Sequence, residues 1–300
     1  MSTAEENTTM RIAATDQYRR AVTFRKLHEG SEPFVVANPW DAGTARILTQ
    51  HGFPALATSG AGLSYALGRS DGANLVSRAE LLANAEEIVA ATPLPVTADL
   101  ESGFGDTPEG VAETIRHAAA AGLVGGSVED STGRDEDPVR PLEEAVERVA
   151  AAVAAARELD FPFTVTARAE NFFQGRPDLP DTIRRLRAYE AAGADVLYAP
   201  ALPDAEAIRE VCSAVTRPVN VLMGSPALRL SVAELGALGV RRISVGSALS
   251  RAALGAVVRA AKEIREHGTF GFGADALPYP EANAMLAPAH PADPESEPAP

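Results

Sequence analysis

The chain has 300 residues, of which 46% are hydrophobic and 23% are charged, and its formal net charge at pH 7 is −14. This composition predicts a globular protein whose length suits two modest domains or one α/β barrel. An acidic chain without clustered lysine and arginine argues against nucleic acid and anionic membranes as partners. The single cysteine, Cys212, excludes an intrachain disulfide, and no apolar run approaches the roughly 18 residues of a membrane span. We therefore expect a cytoplasmic protein.

The polar, acidic segment 1–9 is expected to be disordered. From residue 10 one pattern recurs: a short β-branched run, then a turn residue, then an amphipathic segment rich in alanine, leucine, glutamate and arginine. The runs predict strands at 34–39, 55–59, 95–101, 125–130, 163–169, 195–199, 218–223 and 242–245. The amphipathic segments predict helices at 42–50, 78–91, 108–121, 142–159, 181–192, 205–214, 232–238 and 249–267. Residues 287–300, with five prolines, are expected to be a disordered tail.

Eight strand-then-helix units predict a (β/α)8 TIM barrel over residues 10–286, including a C-terminal helical segment. A parallel strand can follow another only through a crossover helix, and this chain supplies one after every strand. A doubly wound sheet would more often have five or six strands and a Gly-x-Gly-x-x-Gly turn after the first, which is missing here.

Two acids at the end of the third strand are the strongest chemical signal. Asp99 and Glu101 stand two apart, so both carboxylates would project to one side of a strand. A hard divalent ion such as Mg²⁺ would relieve their repulsion, although two solvated acids leading into a loop remain the alternative. In a barrel, Glu129 at the end of the next strand could share that ion. Arg168, at the end of the fifth strand, would offer a fork to a substrate carboxylate.

Small residues end the second strand. Ser59, Gly60 and Ala61 would let backbone N–H groups approach an anion, although these residues taken alone favour a plain strand-to-loop turn. The connection 60–74 that follows is longer than most loops of its kind and suggests a mobile or functional element.

Five motifs in this order resemble the isocitrate lyase and phosphoenolpyruvate mutase superfamily. They are Ser59-Gly60-x-Gly followed by Asp71, Asp99-x-Glu101-x-Gly-Phe-Gly, Val128-Glu129-Asp130, Thr166-Ala167-Arg168, and Asn220-Val221. The resemblance implies a Mg²⁺-dependent enzyme, with Mn²⁺ possible, that acts on a small 2-oxo or 2-hydroxy carboxylate through an enolpyruvate-type intermediate.

Roles for individual residues follow from the same resemblance. It implies metal ligation by Asp99, Glu101 and Glu129. It also implies substrate contacts by Ser59, Gly60, Ala61, Arg168 and Asn220. Asp71 would sit beside the oxo group, so Asp71 and Arg168 are the predicted catalytic residues.

The chain departs from the family in its proton-transfer residues. Lyases of this family carry Lys-Lys-Cys-Gly-His after the fourth strand, and the mutases and phosphonopyruvate hydrolases carry Glu-Asp-Lys. Here Ser131 follows Asp130 and opens an acidic loop, 131–141. Cys212 cannot substitute, because it is predicted to lie inside a surface helix. Candidate proton carriers are therefore Asp71, Tyr65, Arg134 with a water, and the acids at 135–137.

Several functions remain open at this stage. The first is a carbon–carbon lyase or decarboxylase, acting for example on oxaloacetate or a methylisocitrate-like acid. The alternatives are a P–C bond enzyme resembling phosphoenolpyruvate mutase or phosphonopyruvate hydrolase, and a metabolite-binding barrel without turnover. The apolar C-terminal segment is expected to pack either on the outside of its own barrel or on a neighbouring subunit. The resemblance implies a homo-oligomer, tetramer or dimer.

Overall fold

Eight parallel strands form a closed barrel in the computed structural model, which describes residues 3–72 and 75–287. Each strand pairs with the next along the chain, and β8 closes the barrel on β1. The strands are β1 (Phe34–Ala37), β2 (Ala55–Ala57), β3 (Val96–Asp99), β4 (Gly125–Glu129), β5 (Thr164–Arg168), β6 (Val196–Tyr198), β7 (Val219–Leu222) and β8 (Arg242–Ser244). The predicted (β/α)8 architecture is confirmed.

The crossover helices lie close to their predicted bounds, and helices also occur where none was predicted. The helices are α1 (Thr3–Glu29), α2 (Ala42–Gln50), α3 (Gly60–Ala66), α4 (Arg78–Ala90), α5 (Pro108–Ala120), α6 (Leu142–Arg157), α7 (Leu179–Ala191), α8 (Ala205–Ala214), α9 (Val232–Ala237), α10 (Ala248–His267) and α11 (Tyr279–Leu286). A short 3₁₀ helix spans Gly271–Ala274. Side-chain caps explain several starts: Asp41, Ser77 and Ser231 each form a reciprocal capping box with the third helical residue.

Helix α1 closes the N-terminal end of the barrel. The Phe24 ring is fully buried and meets the Phe34 ring edge to face, and Arg20 Nη1 donates to the Thr92 carbonyl at 2.9 Å. No element was predicted between residue 10 and β1, whereas α1 spans Thr3–Glu29. The expected disorder of residues 1–9 stays a prediction. Most of α1 is polar, so its stability comes from packing on the strand bases rather than from a sequence periodicity.

The turn after β3 differs from the prediction in its geometry. β3 ends at Asp99, so Glu101 is not on a strand, and its φ of 50° places it in the left-handed region. Asp99 and Glu101 therefore approach each other because the chain turns, and not because alternate residues of a strand share a face.

The long connection after β2 is partly helical rather than a loop throughout. Ser59 is the N-cap of α3, and its Oγ accepts a hydrogen bond from the Gly62 N–H at 3.1 Å. The last two residues of this connection, 73–74, lie outside the described residues.

The chain divides into two compact units, residues 1–253 and 254–300. The second unit contains most of α10, the 3₁₀ helix and α11. The prediction of one domain over 10–286 stays a prediction, and the expected tail lies, apart from Ala287, outside the described residues. Among the helices that the structure describes, none is long and apolar enough to cross a membrane.

Candidate active site

A cavity of about 330 Å³ opens at the carboxyl ends of the strands. All but one of the predicted site residues line it: Ser59, Ala61, Asp71, Asp99, Glu101, Glu129, Arg168 and Asn220. The exception, Gly60, lies behind the cavity wall against Glu101. A Cβ atom on Gly60 would lie only 1.8 Å from Glu101 Oε1, so this position accepts no side chain without moving that carboxylate.

Three carboxylates form the centre of the cavity. Asp99, Glu101 and Glu129 each offer one oxygen, and these oxygens all lie within 4.8 Å of one another. The Glu101 N–H donates to Asp99 Oδ1 at 3.3 Å, which ties the turn to the strand end. Ser131 Oγ donates to Glu129 Oε1 at 2.5 Å. The serine that stands in place of the mutase lysine therefore contacts a carboxylate of the acidic cluster.

Burial and mutual repulsion hold protons on this cluster. Burial, reinforced by the charges of Asp99 and Glu129, raises the pKa of Glu101 well above its usual range. Burial also raises the pKa of Glu129 to about 8, although the Arg168 guanidinium acts in the opposite direction. Three converging carboxylate oxygens of this kind fit a hard divalent cation, which would replace the protons.

Arg168 faces the acidic cluster from β5. Its Nη1 lies 3.2 Å from Glu129 Oε2 and 3.7 Å from Asp99 Oδ2, and its Nε donates to Glu170. The guanidinium carbon lies 5.5 Å from the Phe173 ring centre and 5.2 Å from that of Tyr198. The Arg168 guanidinium, which was predicted to bind a substrate carboxylate, is therefore partly occupied by carboxylates of this chain. The two aromatic rings hold the plane of the guanidinium.

A buried ion pair between Asp130 and Arg185 holds the ends of β4 and β5 on the side away from the cavity. Asp130 Oδ2 accepts from Arg185 Nη1 at 3.0 Å and from the Tyr189 hydroxyl at 2.5 Å, and its Oδ1 accepts from the Glu170 N–H at 2.8 Å. Asp130, which the sequence placed among the strand-end acids, thus joins the ends of β4 and β5 to α7 and does not line the cavity.

The candidate proton carriers are not equally placed. Asp71, Arg134 and Asp135 line the cavity, whereas Tyr65 does not. Burial and the charge of Asp99 raise the pKa of Asp71, against the effect of its hydrogen bond to the Gly72 backbone. Cys212 lies on α8, where burial raises the pKa of its thiol to about 12, so it takes no part in the site.

The sequence missed one charged residue of the cavity wall, Arg242. It is the first residue of β8, whereas only strand ends were considered as candidates. A charged residue inside a strand, two positions before Ser244 and so on the same face, was the available signal.

Three carboxylates facing an arginine at the carboxyl end of a (β/α)8 barrel are the arrangement of an enzyme active site. The phosphoenolpyruvate phosphomutase family profile matches residues 24–265, which is most of the chain. The chain belongs to this family and to the isocitrate lyase/phosphoenolpyruvate mutase superfamily.

Curated relatives match over most of their length. An uncharacterized protein of Mycobacterium tuberculosis is 31% identical over 268 residues, covering 88% of this chain and 96% of the relative. The oxaloacetate decarboxylase of Chromohalobacter salexigens is 29% identical, with 85% and 88% covered.

Solved structures share the architecture. A lyase/mutase candidate from Burkholderia cenocepacia is 55% identical, with a TM-score of 0.89 over 92% of this chain and 98% of that chain. Phosphonopyruvate hydrolase in complex with oxalate and Mg²⁺ is 26% identical, with a TM-score of 0.77 over 89% and 94%. Oxaloacetate acetylhydrolase with the inhibitor 3,3-difluorooxaloacetate is also 26% identical, with a TM-score of 0.79 over 89% and 94%.

Proposed function

We propose that this chain is a divalent-metal-dependent carbon–carbon lyase acting on a small 2-oxo or 2-hydroxy carboxylate, by decarboxylation or by cleavage of an aldol-type bond. The observation that carries the proposal is the cluster of Asp99, Glu101 and Glu129 facing Arg168 within one cavity. An oxaloacetate decarboxylase among the relatives supports this class of substrate.

Asp99, Glu101 and Glu129 would hold Mg²⁺, or Mn²⁺, whose ligand preferences overlap. The bound ion would polarise the oxo group and stabilise negative charge that develops on it. The raised pKa values of both glutamates mean that this chain must release protons when it binds the ion.

The side chains around the cluster have separate roles. Arg168 has one guanidinium nitrogen beyond those facing Glu129 and Glu170, and this nitrogen would bind the substrate carboxylate. In decarboxylation of a 2-oxo acid, CO2 leaves and the electron pair stays beside the oxo carbon as an enolate, whose carbon then takes a proton. In cleavage of a 2-hydroxy acid, the hydroxyl loses its proton, its carbon becomes the carbonyl of the released 2-oxo acid, and the pair goes to the carbon of the other fragment, which then takes a proton. Asp71 is the proposed donor, because its raised pKa keeps it protonated at a higher pH than a free aspartate.

Residues at the cavity mouth favour carbon–carbon chemistry over cleavage of a P–C bond. Ser131 occupies the position of the mutase lysine and is hydrogen-bonded to Glu129, so this position offers no cation to a phosphoryl group. The 131–141 loop instead brings Arg134 and Asp135 to the cavity. A barrel that binds oxo acids without turnover is the remaining alternative.

A substrate screen tests the proposal. Wild-type protein with Mg²⁺ should turn over oxaloacetate, isocitrate or 2-methylisocitrate, and not phosphonopyruvate. Asp99→Asn should abolish turnover and metal-dependent oxalate binding, measured by calorimetry. Asp106→Asn, a matched exposed acid in the same loop, should retain both.

Two outcomes of the screen contradict the proposal. Turnover of phosphonopyruvate alone would assign the chain to P–C chemistry. No turnover of any of the four acids, with oxalate still bound, would favour the binding barrel.

We also propose that the chain is a homo-oligomer. On α10, Leu254, Val257, Val258 and Ile264 recur at helical spacing and are 41–64% exposed. An amphipathic helix that leaves its apolar face in water is typical of a surface covered by a second copy.

A further inference from the structure

Asn220 and Arg242 form a hydrogen-bonded pair in the cavity wall opposite the acidic cluster. The two residues are register partners on β7 and β8, and Arg242 Nε donates to Asn220 Oδ1 at 2.9 Å. Both are almost completely buried, at 1% exposure for Asn220 and 5% for Arg242. In a closed barrel of eight strands β7 lies across from β3, which carries Asp99.

The pair determines how the Asn220 side-chain amide is oriented, and therefore where its N–H donors point. A guanidinium can only donate, so the amide atom that faces Arg242 must be the oxygen. The amide nitrogen then points the other way, where it donates to Ser244 Oγ at 3.0 Å and keeps a second N–H. Without Arg242 either end of the amide could face Ser244, because a hydroxyl accepts and donates equally well.

Among the described residues no carboxylate pairs with Arg242, which lines the cavity. Its Nη1 has no hydrogen-bond partner in the part of the chain that the structure describes, and it is shielded from solvent. Burial lowers its pKa to about 10, with Tyr198 acting in the opposite direction. The hydrogen bond to Asn220 is therefore the side-chain contact through which this buried cation acts on a neighbour in the cavity wall.

We infer that Arg242 is a positioning residue, which holds the Asn220 side-chain N–H toward the cavity so that it binds an acceptor group at the end of the substrate farthest from the acidic cluster. This inference rests on the proposed function, and it specifies the substrate further. The distal group must be an acceptor such as a carboxylate or a hydroxyl oxygen. An apolar distal end would leave the Asn220 donor unpaired, which is costly in a buried site.

Two substitutions separate the hydrogen bond from the charge. In Arg242→Gln the amide nitrogen stands where Nε stood, so the donor is kept and the charge is lost. In Arg242→Met a methyl group stands there, so both are lost at similar volume. Arg241→Met, at the neighbouring position outside the cavity lining, is the matched control.

Calorimetry with Mg²⁺ uses two probes, oxalate for the cluster end and 3,3-difluorooxaloacetate for both ends. Arg242→Met should weaken difluorooxaloacetate binding roughly tenfold and leave oxalate binding unchanged. Arg242→Gln should restore most of the loss. In an Asn220→Ala background Arg242→Met should have no further effect, because Arg242 acts through Asn220.

Each remaining outcome has a definite meaning. Equal losses in the methionine and glutamine variants would assign the effect to charge and overturn the inference, as would unchanged difluorooxaloacetate binding in Arg242→Met. Failure of the wild type to bind Mg²⁺ and oxalate would instead overturn the proposed function, and this inference with it.

A measurement on the wild type keeps the test valid if Arg242→Met does not fold. The Asn220 side-chain amide signals in a ¹⁵N spectrum should shift with difluorooxaloacetate and much less with oxalate. Signals that shift with neither probe would overturn the inference.

Discussion

At the scale of single residues, the ionisation of the acidic cluster determines what the cavity can hold. Glu101 and Glu129 are protonated at higher pH than free glutamates, since burial penalises their charged forms. Metal binding requires the charged forms, so metal ions and protons compete for the same oxygens.

This competition predicts the pH dependence of stability. The pKa of Glu129 is about 8 when folded and about 4.5 when unfolded, so near pH 7 the folded state holds a proton that the unfolded state has released. The free energy of unfolding of the metal-free protein should therefore fall as the pH rises from 7 to 8.5. His28, whose folded pKa is lowered to about 3 by burial, is neutral in the folded state and mostly neutral in the unfolded state over this range, so its opposite contribution is small.

Thermal melts at pH 7 and 8.5, with and without Mg²⁺, check this prediction. Mg²⁺ should raise the Tm by a few degrees more at pH 8.5. Glu129→Gln should reduce the pH dependence of the metal-free Tm. A larger Mg²⁺ effect at pH 7 would contradict the assignment of Glu129 as a metal ligand.

Asp71 is the proposed proton donor, and its amide variant tests that role. Asp71→Asn should lower kcat on the order of 10²- to 10⁴-fold, because an amide cannot supply the proton, while Mg²⁺ and oxalate still bind. Ser70→Ala, next to it and outside the cavity lining, should keep the wild-type kcat. A wild-type rate in Asp71→Asn would transfer the role to Asp135 or to a water held by Arg134.

At the scale of elements, the ends of β4 and β5 owe their positions to α7. The Asp130–Arg185 pair is buried on both sides and hydrogen-bonded at nearly every donor and acceptor that it offers there. A buried pair adds little stability compared with apolar residues, but breaking it leaves an uncompensated charge.

Asp130→Ala should therefore lower the free energy of unfolding by about 3–5 kcal/mol, measured by urea denaturation. Glu158→Gln, which removes one acid of an exposed pair with Arg116, should change it by less than about 1 kcal/mol. Similar values for both variants would mean that the Asp130 site relaxes around the lost carboxylate.

At the scale of the whole molecule, the exposed apolar face of α10 is the feature that a monomer does not explain. Val257 is 64% exposed and Val258 is 52% exposed, and they stand three and four residues after the exposed Leu254.

Light scattering should therefore give the mass of a dimer or tetramer for the wild type. Val257→Glu should reduce that mass by placing a charge in the apolar contact. Ala256→Glu makes the same change in charge on another face of α10 and should leave the assembly intact. A monomeric wild type would contradict the proposed assembly.

Some of this protein could be predicted from sequence because the signals are local. Alternating apolar periodicities and turn residues predict eight strand–helix units, and capping residues such as Asp41 and Ser77 mark where helices begin. Since a parallel strand needs a crossover helix, the order of units was enough to predict the barrel and to bring Asp99, Glu129 and Arg168 to one end of it.

Only the tertiary structure decided what depends on contacts between distant segments. Helix α1 is stabilised by packing on the barrel base, and the approach of Glu101 to Asp99 depends on a left-handed turn rather than on strand alternation. The ion pair with Arg185 joins Asp130 to α7, away from the cavity. Arg242 lines the cavity beside Asn220, to which it is hydrogen-bonded. Local sequence determines which elements form, whereas burial and hydrogen-bond partners, which shift pKa values and orient amides, exist only once the barrel is closed.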